Sequence, residues 1–322
     1  MRRQFLQGLA LAVGLAATLG VQAQGGGFPD KPVRLVVPFP PGSGTDIGAR
    51  LLAQQLQAAL GQPFVVDNKP GAGGSIGAME VVRAAPDGYT LLFASNSPAA
   101  SNVALLKSMP YDPTRDLAPI GGVGDSVMVL LVRNEHPAKS LKDFVAYLKQ
   151  RPGKVSAGYG SSSSQTSIAL LNKLAQVDVL AVPYRGIPLA VTDTIGGVVD
   201  FTFADLANGV AQVKGGKMRA LGVTSAKRVA IAPDWPALGE TWPGFDITAW
   251  LAVFGPAQMP AERVEKLSTA IAAALRSPEL REKLAATGMQ PMPMTPAQLK
   301  QFQGAEIAKW IQLARDANIE PQ

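Results

Sequence analysis

Short apolar runs rich in β-branched residues alternate along the chain with segments whose apolar positions recur at three and four residues. Val33–Val37 reads as a buried strand, and Ile47, Leu51, Leu52, Leu56, Ala59 and Leu60 follow at helical spacing up to Gly61. Phe64–Val66 is the next predicted strand. Ser75–Ala85 is a helix with Ile76, Met79 and Val82 inward, and Thr90–Ala94 a third strand. Strands spaced by helices imply βαβ units and a parallel sheet.

Val127–Val132 is a long buried run, after which Ser140, with Asp143 three residues on, opens a helix carrying Phe144 and Leu148. The alternation then restarts: Val155–Tyr159, Val179–Val182, Asp200–Ala204 and Met218–Thr224 read as strands, with Ile168, Leu171 and Leu174 on an intervening helix. Trp250–Phe254 is one more strand. Helices beginning at Pro260, Ser277-Pro278 and Thr295-Pro296 fill the tail, which has no sheet of its own. The pattern predicts two α/β lobes, the second inserted in the first: 28–132 with 249–322, and 133–248. The runs at 127–132 and 250–254 are the expected crossings. A cleft between such lobes is a natural ligand site, and hinge bending would close it.

The first residues change the picture of where the chain works. Met1-Arg2-Arg3-Gln4-Phe5-Leu6 leads into an uncharged stretch ending at Val21-Gln22-Ala23, the layout of an export signal at 1–23 cleaved near Ala23. A membrane anchor fits less well, because the run is rich in Gly and Ala. The two arginines also suit a twin-arginine signal, without its usual Ser. The formal charge of +6 would fall to +4 on their removal, and basic residues are scattered, so nucleic acid is not an expected partner. Cysteine is absent and histidine occurs once, at His136, which leaves no thiolate nucleophile, disulfide, or Cys- or multi-His metal site. No cofactor is expected.

Candidate chemistry lies in the segments that follow predicted strands, where open α/β sheets bind ligands. Pro38–Asp46 joins a strand to a helix. Gly42 and Gly44 permit a tight turn, Ser43, Thr45 or Asp46 can cap, and the helix N-terminus can receive an anion. Asp67–Gly77 is a second such loop. Its Gly71-Ala72-Gly73 opens a dinucleotide-like pattern whose third glycine is misplaced, with no acidic residue about 20 positions on. Gly73-Gly74-Ser75-Ile76-Gly77 matches the nucleophile elbow of serine hydrolases, but residues 67–72 separate it from its strand. Its sole potential base, His136, sits in a polar stretch that reads as solvated surface. Ser95-Asn96-Ser97, Tyr159 with Ser161–Ser164, Tyr184-Arg185 and Asp205 supply four more polar strand ends, one of them with a cation.

These segments resemble the substrate-binding receptors of tripartite tricarboxylate transporters, the Bug-type proteins, from Phe28 to Gln322. The matching blocks include Phe28–Arg34, Pro38–Asp46, Asn68–Gly74, Ala84–Leu92, Pro183–Gly186 and Gly216–Leu221. The resemblance implies a type II periplasmic-binding-protein (Venus-flytrap) fold and a monomeric extracytoplasmic receptor. Such a receptor delivers a small organic acid (mono-, di- or tricarboxylate, aromatic ones included) to membrane permease subunits without performing chemistry. On that likeness Phe39, Pro40, Ser43, Thr45 and Asp46 line one wall of the cleft, Ala72, Gly73 and Ser75 belong to the second loop, and Ser95 and Asn96 to the third. Tyr159, Ser161, Ser162, Arg185 and Asp205 face them from the second lobe. Two departures fall on that second wall: the loop after Tyr159 is shorter and lacks the usual His, and Ile187-Pro188-Leu189-Ala190 replaces a second Gly-x-Pro-Ala. An exported ligand sensor and, more remotely, a Ser75 hydrolase are the competing readings.

Overall fold

The computed structural model of the chain describes residues 27–321. The export signal expected at 1–23 lies outside them. In chain order the first elements are β1 (Val33–Val37), α1 (Gly44–Leu60), β2 (Phe64–Asn68), α2 (Ser75–Val82), β3 (Thr90–Ser95), α3 (Asn102–Leu105) and β4 (Leu117–Arg133). Then come α4 (Leu141–Lys149), β5 (Val155–Tyr159), α5 (Ser162–Ala175), β6 (Val179–Pro183), α6 (Ile187–Ile195), β7 (Phe201–Asp205), α7 (Leu206–Lys214) and β8 (Met218–Val223). The chain ends with α8 (Leu238–Thr241), β9 (Thr248–Pro256), α9 (Ala261–Arg276), α10 (Pro278–Ala286), β10 (Gln290–Met294) and α11 (Pro296–Asp316).

The strands run β2-β1-β3-β9-β4-β7-β5-β6, with β8 and β10 also paired to β4. β4 is the shared member. Its residues 117–127 pair with β9, and its residues 128–133 with β7 and β8. One half of the sheet therefore holds β1–β3, β9 and β10, and the other holds β5–β8. Parallel pairing is confined to β2-β1-β3 and β6-β5-β7. Wherever β4 or β9 takes part the pairing is antiparallel, so the sheet is mixed rather than parallel throughout.

The apolar periodicity became packing in most places. Val33, Leu35, Val36 and Val37 of β1 are fully buried, as are Leu130, Leu131 and Val132 of β4. Helix α2 is turned from the expected face: it buries Ala78 and Val81, while Ile76 is 55% exposed. Alanine and glycine allow α2 to approach the sheet closely, and that outweighs burial of one larger side chain; a Cβ on Gly77 would stand 2.9 Å from Pro38 Cα.

The chain crosses between the halves twice. β4 leads out, and the segment after β8 returns to β9. Thr224 joins the two crossings. Its N–H donates to Met128 O (2.9 Å) and its hydroxyl accepts from Met128 N (2.9 Å). On the return side the hydroxyl donates to Ile247 O (2.7 Å), and Ile247 N donates to Thr224 O (2.8 Å).

Candidate functional site

The turn after β1 is built around Asp46. Ser43, with extended backbone, caps α1 by accepting from Asp46 N at 3.2 Å. The buried Asp46 carboxylate receives Gly42 N (2.9 Å), Asn68 Nδ2 (2.9 Å) and the Arg50 guanidinium (2.9 Å). Burial works against its ionisation, but Arg50, the Gly42 N–H and Asn68 outweigh it and hold its pKa below the usual carboxylate range. Asn68 also donates to Phe39 O (2.9 Å). Asp46 is thus the keystone of the turn, occupied on its own side.

The loop before α2 carries four consecutive residues of positive φ, Gly71 to Gly74, Ala72 among them. Asn102 Nδ2 holds it, reaching Gly73 O at 3.0 Å and Ser75 Oγ at 3.3 Å. Ser75 is buried there. His136 belongs to the other half and is fully buried, not solvated. Its ring packs on Tyr147 and Phe144 (centroids 4.7 and 5.7 Å), and Nδ1 accepts from Ala138 N. The aromatic side chains of α4 cover a stretch whose neighbours in sequence are polar. A Ser75–His136 pair does not form.

Loops of the two halves meet along three lines. Asn96 Nδ2, after β3, donates to Ser162 Oγ and Ser163 Oγ of α5 (3.1 Å each). Ser97 Oγ lies 2.8 Å and Ser101 Oγ 2.6 Å from the same Ser162 hydroxyl, and Ser162 N donates to Ser97 Oγ. Gly44 N, at the start of α1, donates to Asp205 Oδ2 (3.1 Å), and Asn208 Nδ2 donates to Gly42 O (3.1 Å). Gly186 lies directly against the Pro40 ring.

These contacts surround a central cavity. Of the expected residues, Phe39, Ser43, Thr45, Ser95, Asn96, Ser161 and Asp205 line it. Burial raises the pKa of the Asp205 carboxyl, which the Gly44 N–H and Asn208 only partly offset. Ala72, Gly73, Tyr159, Ser162 and Arg185 line a second cavity that shares Ser161 with the first. Ser75 borders a third depression with Ala72. Pro40 packs on Gly186, and Asp46 is turned into its own loop. Ser162, expected to face the cleft, is engaged with Ser97, Ser101 and Asn96. Tyr184 donates to Asp193 Oδ2 at 2.8 Å, and its pKa is pushed up to about 12 by burial and that bond.

The sequence reading missed the floor of the central cavity: Ser126, Val127 and Met128 of β4, Ala249 and Leu251 of β9, and Thr287 and Met289 after α10. Ser126 immediately precedes an apolar run, and Thr287 and Met289 flank the helix-stopping Gly288. Nothing local in either stretch says that it faces the gap. Among the described residues no group of His, Cys, Asp and Glu is arranged to hold a metal, and no helix is long and apolar enough to cross a membrane.

Residues 48–319 match the model of the tripartite tricarboxylate transporter family receptor. The chain is 37% identical over 312 residues to protein BugT of Bordetella pertussis, covering 94% of this chain and 95% of that one. Among solved structures it is similar to R. palustris Rpa4515 with adipate (34% identity, 92% of this chain and 100% of that one, TM-score 0.89). It is also similar to MatC of Rhodopseudomonas palustris with bound malate (32%, 89% and 99%, TM-score 0.83).

Proposed function

Because the chain belongs to the tripartite tricarboxylate transporter receptor family, and so is a two-lobe solute receptor rather than an enzyme, we propose what it binds and how. It takes a small organic carboxylate into the central cavity, closes its lobes over it, and presents the closed form to a membrane permease. The lobe bounds read from the sequence, 28–132 with 249–322 and 133–248, shift within β4, whose residues 128–133 already pair with the second lobe. The observation that carries this reading is the convergence at one enclosed cavity of residues from the first turns of α1 and α5, in opposite halves of the sheet. Peptide N–H groups and the positive end of a helix dipole favour an anion there. The adipate and malate named for the two related structures agree with an acidic ligand.

On this reading Phe39, Ser43, Thr45, Ser95, Asn96, Ser161 and Asp205 contact the ligand. Pro40, Asp46, Ala72, Gly73, Ser75, Tyr159, Ser162 and Arg185 shape the loops and the lobe contact. The family's periplasmic setting supports export through residues 1–23 and cleavage near Ala23, giving a monomeric receptor. Isothermal titration of the purified chain against mono-, di- and tricarboxylates tests the proposal. At least one acid should bind and raise the melting temperature, since a ligand specific to the folded state stabilises it by mass action. No heat and no shift from any member of the panel would overturn it.

A further inference from the structure

The loop after β3 makes one wide turn, residues 97–101, in which Asn102 N bonds Ser97 O five residues back. Turns of that width are rare and often sit at functional sites. All five residues are buried, and the segment sends side chains in three directions. Asn96 lines the central cavity. Ser97 and Ser101 meet Ser162 across the gap, and Asn102 holds the second loop at Gly73. Contacts as short as the 2.8 and 2.6 Å to Ser162 survive only small displacements of the turn. Two side chains of the first lobe grip the turn from behind. The Tyr111 hydroxyl donates to Pro98 O (2.6 Å), and Gln303 Nε2 of α11 donates to Ala99 O (2.9 Å) and Pro113 O (3.1 Å). One amide thus ties the turn to the segment that carries Tyr111. Both side chains are buried, and neither lines the central or the second cavity. Packing alone would be served as well by an apolar side chain of the same size. A buried amide stabilises only through the bonds it makes, and both listed donations of Gln303 go to this turn and its neighbour.

We propose that Tyr111 and Gln303 are positioning residues for ligand capture. They hold the turn 97–101 where Asn96 faces the central cavity and the two serines receive Ser162 as the lobes close. This rests on the receptor reading above and adds to it two residues outside both cavities. Loss of either donor leaves a buried carbonyl of the turn without its side-chain partner. The turn then relaxes to recover a bond, and Asn96, Ser97 and Ser101 lose their common placement.

The test compares wild type with Tyr111→Phe and Gln303→Met, which remove the donors at nearly constant volume. The control is Leu267→Ala, at a fully buried position of α9 that lines neither cavity. Hydrogen exchange of the ligand-free chain reads the turn. Amides of 96–102 should exchange about tenfold faster in both donor variants, whereas any increase in Leu267→Ala should be spread over the lobe. Titration calorimetry with adipate, malate and the other acids of the panel reads capture. The donor variants should bind about tenfold more weakly. Leu267→Ala, with a stability loss at least as large, should bind as wild type. Unchanged exchange at 96–102, or wild-type affinity, in a folded donor variant overturns the inference for that residue and leaves the receptor standing. An equal affinity loss in Leu267→Ala overturns it for both. If no acid of the panel binds wild type, the receptor reading falls and this inference with it.

Discussion

A single methyl group at the lobe contact should separate folding from ligand capture. Gly186 has extended backbone (φ 174°), so alanine is conformationally acceptable there. Its Cβ, however, would stand 2.5 Å from Pro40 Cγ and closer still to Cδ. Carbon atoms need about 3.5 Å, and a proline ring cannot swing aside, so the two loops must part by roughly 1 Å. Overpacking of that kind costs about 1–3 kcal/mol. The cost falls on the closed form alone, because Gly186 follows β6 and Pro40 follows β1, in opposite halves of the sheet. Closure and binding are linked, so Gly186→Ala should weaken ligand affinity about 5- to 150-fold, while the ligand-free protein, free to open, melts as wild type. Titration calorimetry and a melting curve read the two effects. Gly196→Ala is the control: it lies in the same half, and its nearest neighbour is Thr192 O at 3.6 Å. Wild-type affinity in a folded Gly186→Ala would refute the idea that binding requires the contact seen between these loops.

Two further outcomes are expected. Thr224→Val removes a fully buried hydroxyl that bridges Met128 N and Ile247 O, and should cost about 1–3 kcal/mol on denaturant unfolding; an unchanged midpoint would mean that the crossings do not depend on it. His136 is pushed to a lower pKa chiefly by burial, with Arg133, Lys139 and Arg219 adding to it and Asp200 opposing. The unfolded chain then binds the extra proton first, so stability is full above the free histidine value of about 6.5 and falls as pH drops through it. In His136→Phe that part of the pH–stability curve should flatten, and an equal slope in both proteins would remove His136 as its source.

The strand–helix alternation was legible because Val, Leu and Ile runs such as 33–37 and 127–132 must be buried whatever their partners are. Less legible were elements defined by their neighbours. The first half of β4 contains Gly121, Gly122 and Gly124, a poor strand by composition, yet a Cβ on Gly122 would stand 2.6 Å from Met292 O. The glycines are there so that β10, itself carrying two prolines, can lie close against it. The site divides the same way. The loops after β1 and β3 and the Ser161 cap announce themselves locally, by Gly, Ser and Asn next to apolar runs. Whether a hydroxyl on such a loop faces a ligand or the opposite lobe depends on how the halves approach. That is why Ser162, read as a ligand contact, is found joined to Ser97 and Ser101. His136 shows the converse, with polar sequence neighbours and a cover supplied by Phe144 and Tyr147 a turn or more away.

The two crossings between the halves are bonded to each other, and β4 runs without interruption from one half into the other. A joint of that construction behaves as a torsion spring and not as a tether. Opening distributes a small twist over many backbone bonds. The occupancy of the shut state before any solute arrives is then set by the stiffness of these strands. Affinity becomes adjustable from Thr224 or the β4 glycines, by residues that never meet the solute.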